Sequence, residues 1–163
     1  MPQIVDPNTM MFRNWEPKLK NRFTFEVDGI PTYLIKKAGR PKMTVSKVAI
    51  PHINNERYSA GKWKWDPISV ELYDPITPSG MQLVMEWVRT SSESATGRAG
   101  YLSMYQRNAT LNILGPVGDI VENWTLWGCW VESFDAGEFD WSEEATLSTI
   151  TLNLAYNYSI LNF

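Results

Sequence analysis

Along most of this chain, hydrophobic residues recur at every second position, the period of a strand that buries one face. Over residues 22–27, Phe23, Phe25 and Val27 share a face. Asp28-Gly29 is a hairpin-turn dipeptide and predicts a second strand over 31–37. A third is expected over 44–50, after the basic, turn-rich segment 36–42. Residues 52–62 (HINNERYSAGK) are polar and lack alternation, so they read as a loop. Alternation returns over 63–73, where Ile68, Val70 and Leu72 interleave with Ser69, Glu71 and Tyr73.

One segment changes period. Met81, Val84, Met85 and Val88 fall at i, i+3, i+4 and i+7, with Leu83 and Trp87 widening the stripe, which predicts a helix over residues 81–91. The breaker DPITPSG precedes it, with Thr77 or Ser79 as N-cap and Pro78 in the first turn. SSESATGRAG follows as a flexible loop. Strands are then expected over 109–114 and 122–133, around a turn at 115–118. The longest spans 145–159: Ile150, Leu152, Leu154, Tyr156 and Tyr158 on one face, Thr149, Thr151, Asn153, Ala155 and Asn157 on the other. That second face carries no charge, so it does little to block further pairing, and it suits a polar channel lining or a subunit contact.

The fold class is therefore mainly β: a barrel or sandwich of antiparallel strands with one flanking helix. Residues 1–21, broken by Pro2, Pro7 and Pro17, read as an extended N-terminal arm with Phe12 and Trp15 as anchors. Residues 22–163 form a single domain, a length sufficient for one core. No repeat, heptad or apolar run of about 20 residues is present, so no membrane anchor is expected.

Composition sharpens this picture in two places. The chain is 13% aromatic with eight Trp, which suits interfaces as well as a β core. The net charge of −3 hides an asymmetry: residues 1–64 hold twelve Lys/Arg against five Asp/Glu, while 65–163 hold three against thirteen. A chain with one basic and one acidic half attracts copies of itself head to tail.

Catalytic chemistry is hard to place. His52 is the one histidine and Cys129 the one cysteine, too few for a zinc site, and no nucleophile elbow accompanies His52. Cys129, between Trp127 and Trp130, reads as a small buried hydrophobe. Asp135, Glu138 and Asp140, with Glu143 and Glu144, lack calcium-loop spacing and read as an acidic hairpin tip. GPVG at 115–118 lacks the Lys-Ser/Thr of a phosphate loop, and the basic segment 36–47 lacks a reading helix for DNA. No catalytic residue, metal or cofactor is expected.

Three stretches in this order resemble the tail tube protein of contractile-tailed bacteriophages, with its Hcp-like tube fold. They are RFTFEVDG at 22–29; KMTVSKVAIPHINNERYSAGKWKWDPISVELYD at 42–74; and 128–158. The last carries Gly128-x-Trp130, Gly137, Phe139-Asp140-Trp141, Leu147-x-Thr149 and Leu154-Ala155-x-x-Tyr158. The helix closing on Glu86-Trp87 sits where the family has its single helix.

The resemblance implies a β-barrel subunit, six copies of which close into a ring around a channel. Rings stack into a tube inside a contractile sheath, and DNA is delivered through the lumen. It implies a virion protein made in the host bacterial cytoplasm. The partners are further copies of itself, the sheath, baseplate and tail terminator proteins, and tape measure protein and DNA in the lumen. The family's stacking loop corresponds to about 50–65, which nominates Ile50, Asn54, Asn55, Arg57, Tyr58, Lys62 and Trp63 as ring-stacking residues. Thr149, Thr151 and Asn153 are nominated for a lumenal or inter-subunit face. Close alternatives are a tube subunit of a phage-like contractile injection system or a baseplate tube initiator. From another class stands a Trp-rich carbohydrate-binding sandwich, with Trp63 and Trp65 stacking on sugars.

Overall fold

The computed structural model describes residues 16–163, so Phe12, Trp15 and most of the expected N-terminal arm lie outside the described residues. Strands β1 (Phe23–Val27), β2 (Ile35–Ala38), β3 (Lys42–His52), β4 (Asn55–Asp66) and β5 (Ile68–Tyr73) come first. Helix α1 (Gly80–Ser91) and the short α2 (Leu102–Tyr105) follow, then β6 (Arg107–Leu114), β7 (Ile120–Asp135), β8 (Thr149–Ala155) and β9 (Tyr158–Leu161).

All pairings are antiparallel. The main sheet runs β1-β6-β7-β8-β5-β2, with β9 also on β7. The first part of β7 pairs with β6 and β9, and its second part with β8. β7 bends at Gly128, whose φ of +68° is open to glycine at little cost and where a Cβ would stand 2.4 Å from Asn157 Nδ2. The bend folds the sheet over a core of Phe25, Leu111, Leu126, Val70, Leu72, Ile150, Leu152 and Leu154. Helix α1 adds Val84 and Trp87 to it. The mainly-β expectation holds, but the barrel is not closed: β1 and β2 end the sheet order without pairing to each other.

Helix α1 forms where its stripe predicts. Ser79 is the N-cap, its Oγ accepting from Gln82 N at 3.4 Å, so Pro78 lies before the helix rather than in its first turn. Asp74 Oδ1 accepts from Met81 N at 3.2 Å. No helical period marks α2, a single turn that meets α1 where Trp87 Nε1 donates to Tyr105 O at 2.7 Å.

Four expectations fail. Asp28-Gly29 does not join a strand pair: Thr32–Leu34 forms a 3-10 turn, and β1 and β2 pair with β6 and β5 instead. The stretch 63–73 is not one strand: its start ends β4 and Ile68–Tyr73 forms β5, in separate sheets. Residues 52–62 are not a loop: β3 and β4 form one long hairpin, joined at Ile53 and Asn54, that makes a sheet of its own. Alternation is missing there because neither face is buried. The strand over 145–159 is also shorter than expected and broken. It starts at Thr149 and is interrupted opposite the Gly128 bend, where Asn157 N donates to Trp127 O at 2.9 Å. The side-chain phase slips there: Ile150, Leu152, Leu154 and Tyr156 stay buried, but Tyr158 is exposed and Ser159 turns in.

Candidate assembly surfaces

The first surface is the β3–β4 hairpin. Its register runs from Lys42↔Asp66 to His52↔Asn55 with one bulge, where Gly61 and Lys62 lie opposite Ser46. Gly61 suits this close approach, since a Cβ would stand 2.4 Å from Ser46 Oγ and 3.1 Å from Ser46 O. The bulge adds local twist. The base is tied to the main sheet by Trp65 against Tyr156 (ring centroids 5.8 Å apart) and by Lys42 N donating to Tyr156 Oη at 3.3 Å. Burial raises the Tyr156 hydroxyl above its ordinary pKa.

Beyond that base the hairpin packs on nothing else among the described residues. Met43, Val45, Val48, Ile50, Tyr58 and Trp63 are exposed, Trp63 at 71%. Ile50, Asn54, Asn55, Arg57, Tyr58, Lys62 and Trp63 thus all lie on this one projecting element. Lys47 Nζ sits 3.9 Å over the Tyr58 ring, and Tyr58 Oη donates to Glu56 Oε2 at 3.1 Å, so the polar side is pre-ordered. An isolated two-stranded hairpin is marginal in water, and exposed apolar surface of this extent marks an interaction site.

The second surface is the outer face of β5 and β8. Register places Ser69 beside Asn153, Glu71 beside Thr151 and Tyr73 beside Thr149. Asn153 Nδ2 donates to Ser133 Oγ on β7 at 2.9 Å. Thr149, Thr151 and Asn153 therefore do share a small polar face, backed by the fully buried Ile150 and Leu152. Lys36 from β2 reaches Glu71 at 2.7 Å, and that hydrogen bond lowers the Glu71 carboxyl and raises the Lys36 amine.

The third is the segment 136–148 after β7, which carries Glu138 and Asp140; Asp135 closes β7 itself. Asp135 Oδ1 accepts from Gly137 N at 2.9 Å, and Asp140 Oδ1 accepts from Ser142 N at 2.9 Å and Oγ at 2.8 Å. The two bonds from Ser142 hold the Asp140 carboxyl below its usual range, and the segment presents Phe139 and Trp141, 87% and 106% exposed.

A cleft that the sequence did not reveal lies where the sheet fails to close. It holds about 690 Å³ between the β1–β6 side and β2. Its floor is Phe23, Ala38, Leu111 and Ile113, and its rim is basic, with Lys20, Arg22 and Lys37. Lys18 and Arg40 turn toward Glu122, which also accepts from Trp124 Nε1 at 2.5 Å. Burial would raise the Glu122 carboxyl, but these partners outweigh it and hold it below its usual range. The basic excess over 18–42 was the available signal; what could not be read is that three distant segments meet.

The remaining chemistry-bearing residues are elsewhere. Cys129 is buried, which pushes its thiol up to about 12, and His52 is exposed near the hairpin tip. Among the described residues, no group of three or more His, Cys, Asp or Glu could hold a metal ion, and no helix is long and apolar enough to cross a membrane.

The comparisons with known proteins agree with this architecture. A subunit of the baseplate of the anti-feeding prophage, solved with 6-fold symmetry, is similar over 90% of this chain and 96% of its own, with TM-score 0.68 and 16% identity. A chain of the sheath-tube complex of the PVC extracellular contractile injection system is similar over 90% and 91%, with TM-score 0.70 and 12% identity. Hcp1 from Flavobacterium johnsoniae covers 86% and 94%, at TM-score 0.52 and 13% identity. At such identities the likeness concerns the fold. No curated protein matches the chain. Neither the fold nor these relatives support the carbohydrate-binding alternative. The family profile described as T4-like virus tail tube protein gp19 matches residues 19–159, nearly the whole described chain, and the protein belongs to that tail tube family.

Proposed function

We propose that this chain is the self-assembling subunit of a contractile tail's inner tube, six copies to a ring and rings stacked end to end. The observation that carries this is the β3–β4 hairpin, ordered along its length yet exposed on both faces. It gains a packed environment when Ile50, Tyr58 and Trp63 meet the next ring, with Asn54, Asn55, Arg57 and Lys62 as its polar contacts. Ring closure removes the other liability, the open sheet edges at β1, at β2 and along the second part of β7.

The face of Thr149, Thr151 and Asn153 then lines the lumen. Small polar side chains beside a Lys36–Glu71 pair that cancels its own charge let DNA slide, whereas a lysine-rich lining would hold phosphates. On this reading the protein acts without catalysis, in the virion tail, after synthesis in the bacterial host. The sheath, baseplate and terminator proteins contact the tube from outside and at its ends, and the tape measure protein occupies it before DNA. The relatives in a sheath-tube complex and a baseplate favour a second reading, a tube subunit or tube initiator of a contractile injection system.

The test is negative-stain electron microscopy of the purified protein across concentration and salt. Rings or hollow tubes of uniform width are expected. A monodisperse monomer under all conditions, even with a baseplate or cap as template, overturns the assignment.

A further inference from the structure

We infer that the basic cleft between β1 and β2 takes the acidic segment 136–148 of a second copy, with Trp141 and Phe139 entering its apolar floor. This rests on the assembly reading above and assigns the contact that closes one subunit onto the next.

The two surfaces complement each other in three ways. The first is charge. The segment carries Glu138, Asp140, Glu143 and Glu144 and no Lys or Arg, while the rim offers Lys20, Arg22 and Lys37, none paired with a carboxylate among the described residues. The second is shape and polarity. Phe139 and Trp141 stand almost free of their own chain, and a cleft of about 690 Å³ falls within the roughly 300–1,000 Å³ of sites that engulf drug-sized groups. An aromatic centre with a polar rim is the usual anatomy of an interface.

The third is position. The acidic segment leaves the end of β7, while the cleft is walled by β2. In the order β7-β8-β5-β2 these are opposite edges, about 14 Å apart at the usual strand spacing, and Phe139 and Trp141 stand exposed rather than in their own chain's cleft. A knob on one edge and its socket on the other make a heterologous contact, the kind that propagates from copy to copy and closes rings. The hydrogen bonds from Ser142 and Gly137 shape the knob beforehand, which lowers the ordering cost of docking.

Charge exchange on the full chain tests this. Lys20→Glu with Lys37→Glu reverses the rim, and Asp140→Lys with Glu143→Lys reverses the knob; all four positions are exposed, and thermal melting checks that each variant folds. Each pair is expected to raise the protein concentration needed for rings or tubes about tenfold at low salt, less at high salt, and the fourfold variant to recover most of the loss. Trp141→Ala is expected to match the single reversals without the salt dependence.

As a second readout, Glu138→Cys with Lys20→Cys is treated with a short bis-maleimide. Cys129 is buried, so background coupling is low, and an intermolecular ladder is expected. Reversals that assemble like the wild type, a fourfold variant no better than the pairs, or cross-links confined within one chain overturn the inference. If wild-type tubes form but no ladder appears, this contact alone is wrong. If neither forms, the assembly reading falls with it.

Discussion

β8 and the β3–β4 hairpin are both antiparallel β-structure, yet they are held by different physics. β8 is seven residues long and buries Ile150, Leu152 and Leu154 to within 1%. The hairpin strands are eleven and twelve residues long and, apart from the base, bury nothing. Backbone ordering costs about 1–2 kcal/mol per residue, and each net hydrogen bond returns about 0.5–1.5 kcal/mol. A ladder without burial is therefore near balance. The β8 region draws its stability from burial within its own chain, whereas the hairpin, on the proposed assembly, would draw it from a neighbour.

The comparison breaks most severely at the core. Trp87 is fully buried, donates to Tyr105 O at 2.7 Å and lies 4.7 Å beneath the Arg107 guanidinium. Trp87→Ala is expected to cost about 3–5 kcal/mol in urea unfolding and to abolish assembly with it. An unfolding midpoint close to wild type would mean that α1 is not part of the folding unit.

Gly61→Val sharpens the other side. Its Cβ must displace Ser46, whose backbone O would be 3.1 Å away, and the strain is expected to cost about 1–3 kcal/mol. The loss falls on the hairpin alone. Hydrogen exchange at β3 and β4 amides should accelerate while β8 amides keep their protection. Uniform acceleration would show that hairpin and body unfold together.

A smaller effect comes from Glu122, where β7 meets Lys18 and Arg40. Its folded pKa lies below the ordinary 4.5, so its contribution is full above that value and is lost as pH falls through the folded pKa. Both cations are about half exposed, at 49% and 57%, so roughly 1 kcal/mol is expected. Glu122→Gln should therefore flatten the loss of stability below pH 4.5 in urea unfolding. An unchanged acid slope would place that dependence on another carboxylate.

The same contrast explains what could be read from the chain. β1, β5 and β8 announce themselves because burial on one face imposes alternation, and α1 because Met81, Val84 and Val88 fall on one stripe behind a serine cap. The first part of β4 was invisible because Asn55, Glu56, Arg57 and Ser59 face solvent on both sides, leaving no period to detect. The slip at Tyr158 follows from the bend at Gly128, on another strand. The hairpin residues nominated for stacking came from family resemblance rather than periodicity, and the structure gathers them on one element. The cleft was out of reach, because Arg22, Lys37 and Ile113 meet only after three segments converge.

The smallest effect on folding is the one that separates folding from assembly. Arg57 and Lys62 sit on β4, exposed, with no carboxylate in salt-bridge range among the described residues. Reversing both, Arg57→Glu with Lys62→Glu, removes no buried contact and leaves the core untouched. Unfolding of the monomer is expected to stay within about 0.5 kcal/mol of wild type. If stacking brings this surface against acidic groups of the next ring, as the proposed assembly has it, like charges there cost several kcal/mol and tubes should shorten to isolated rings. Urea unfolding beside electron microscopy reads both quantities on one preparation. A variant that unfolds more easily yet still stacks into long tubes would put the hairpin in the self-sufficient class with β8, and the stacking contact would have to lie elsewhere.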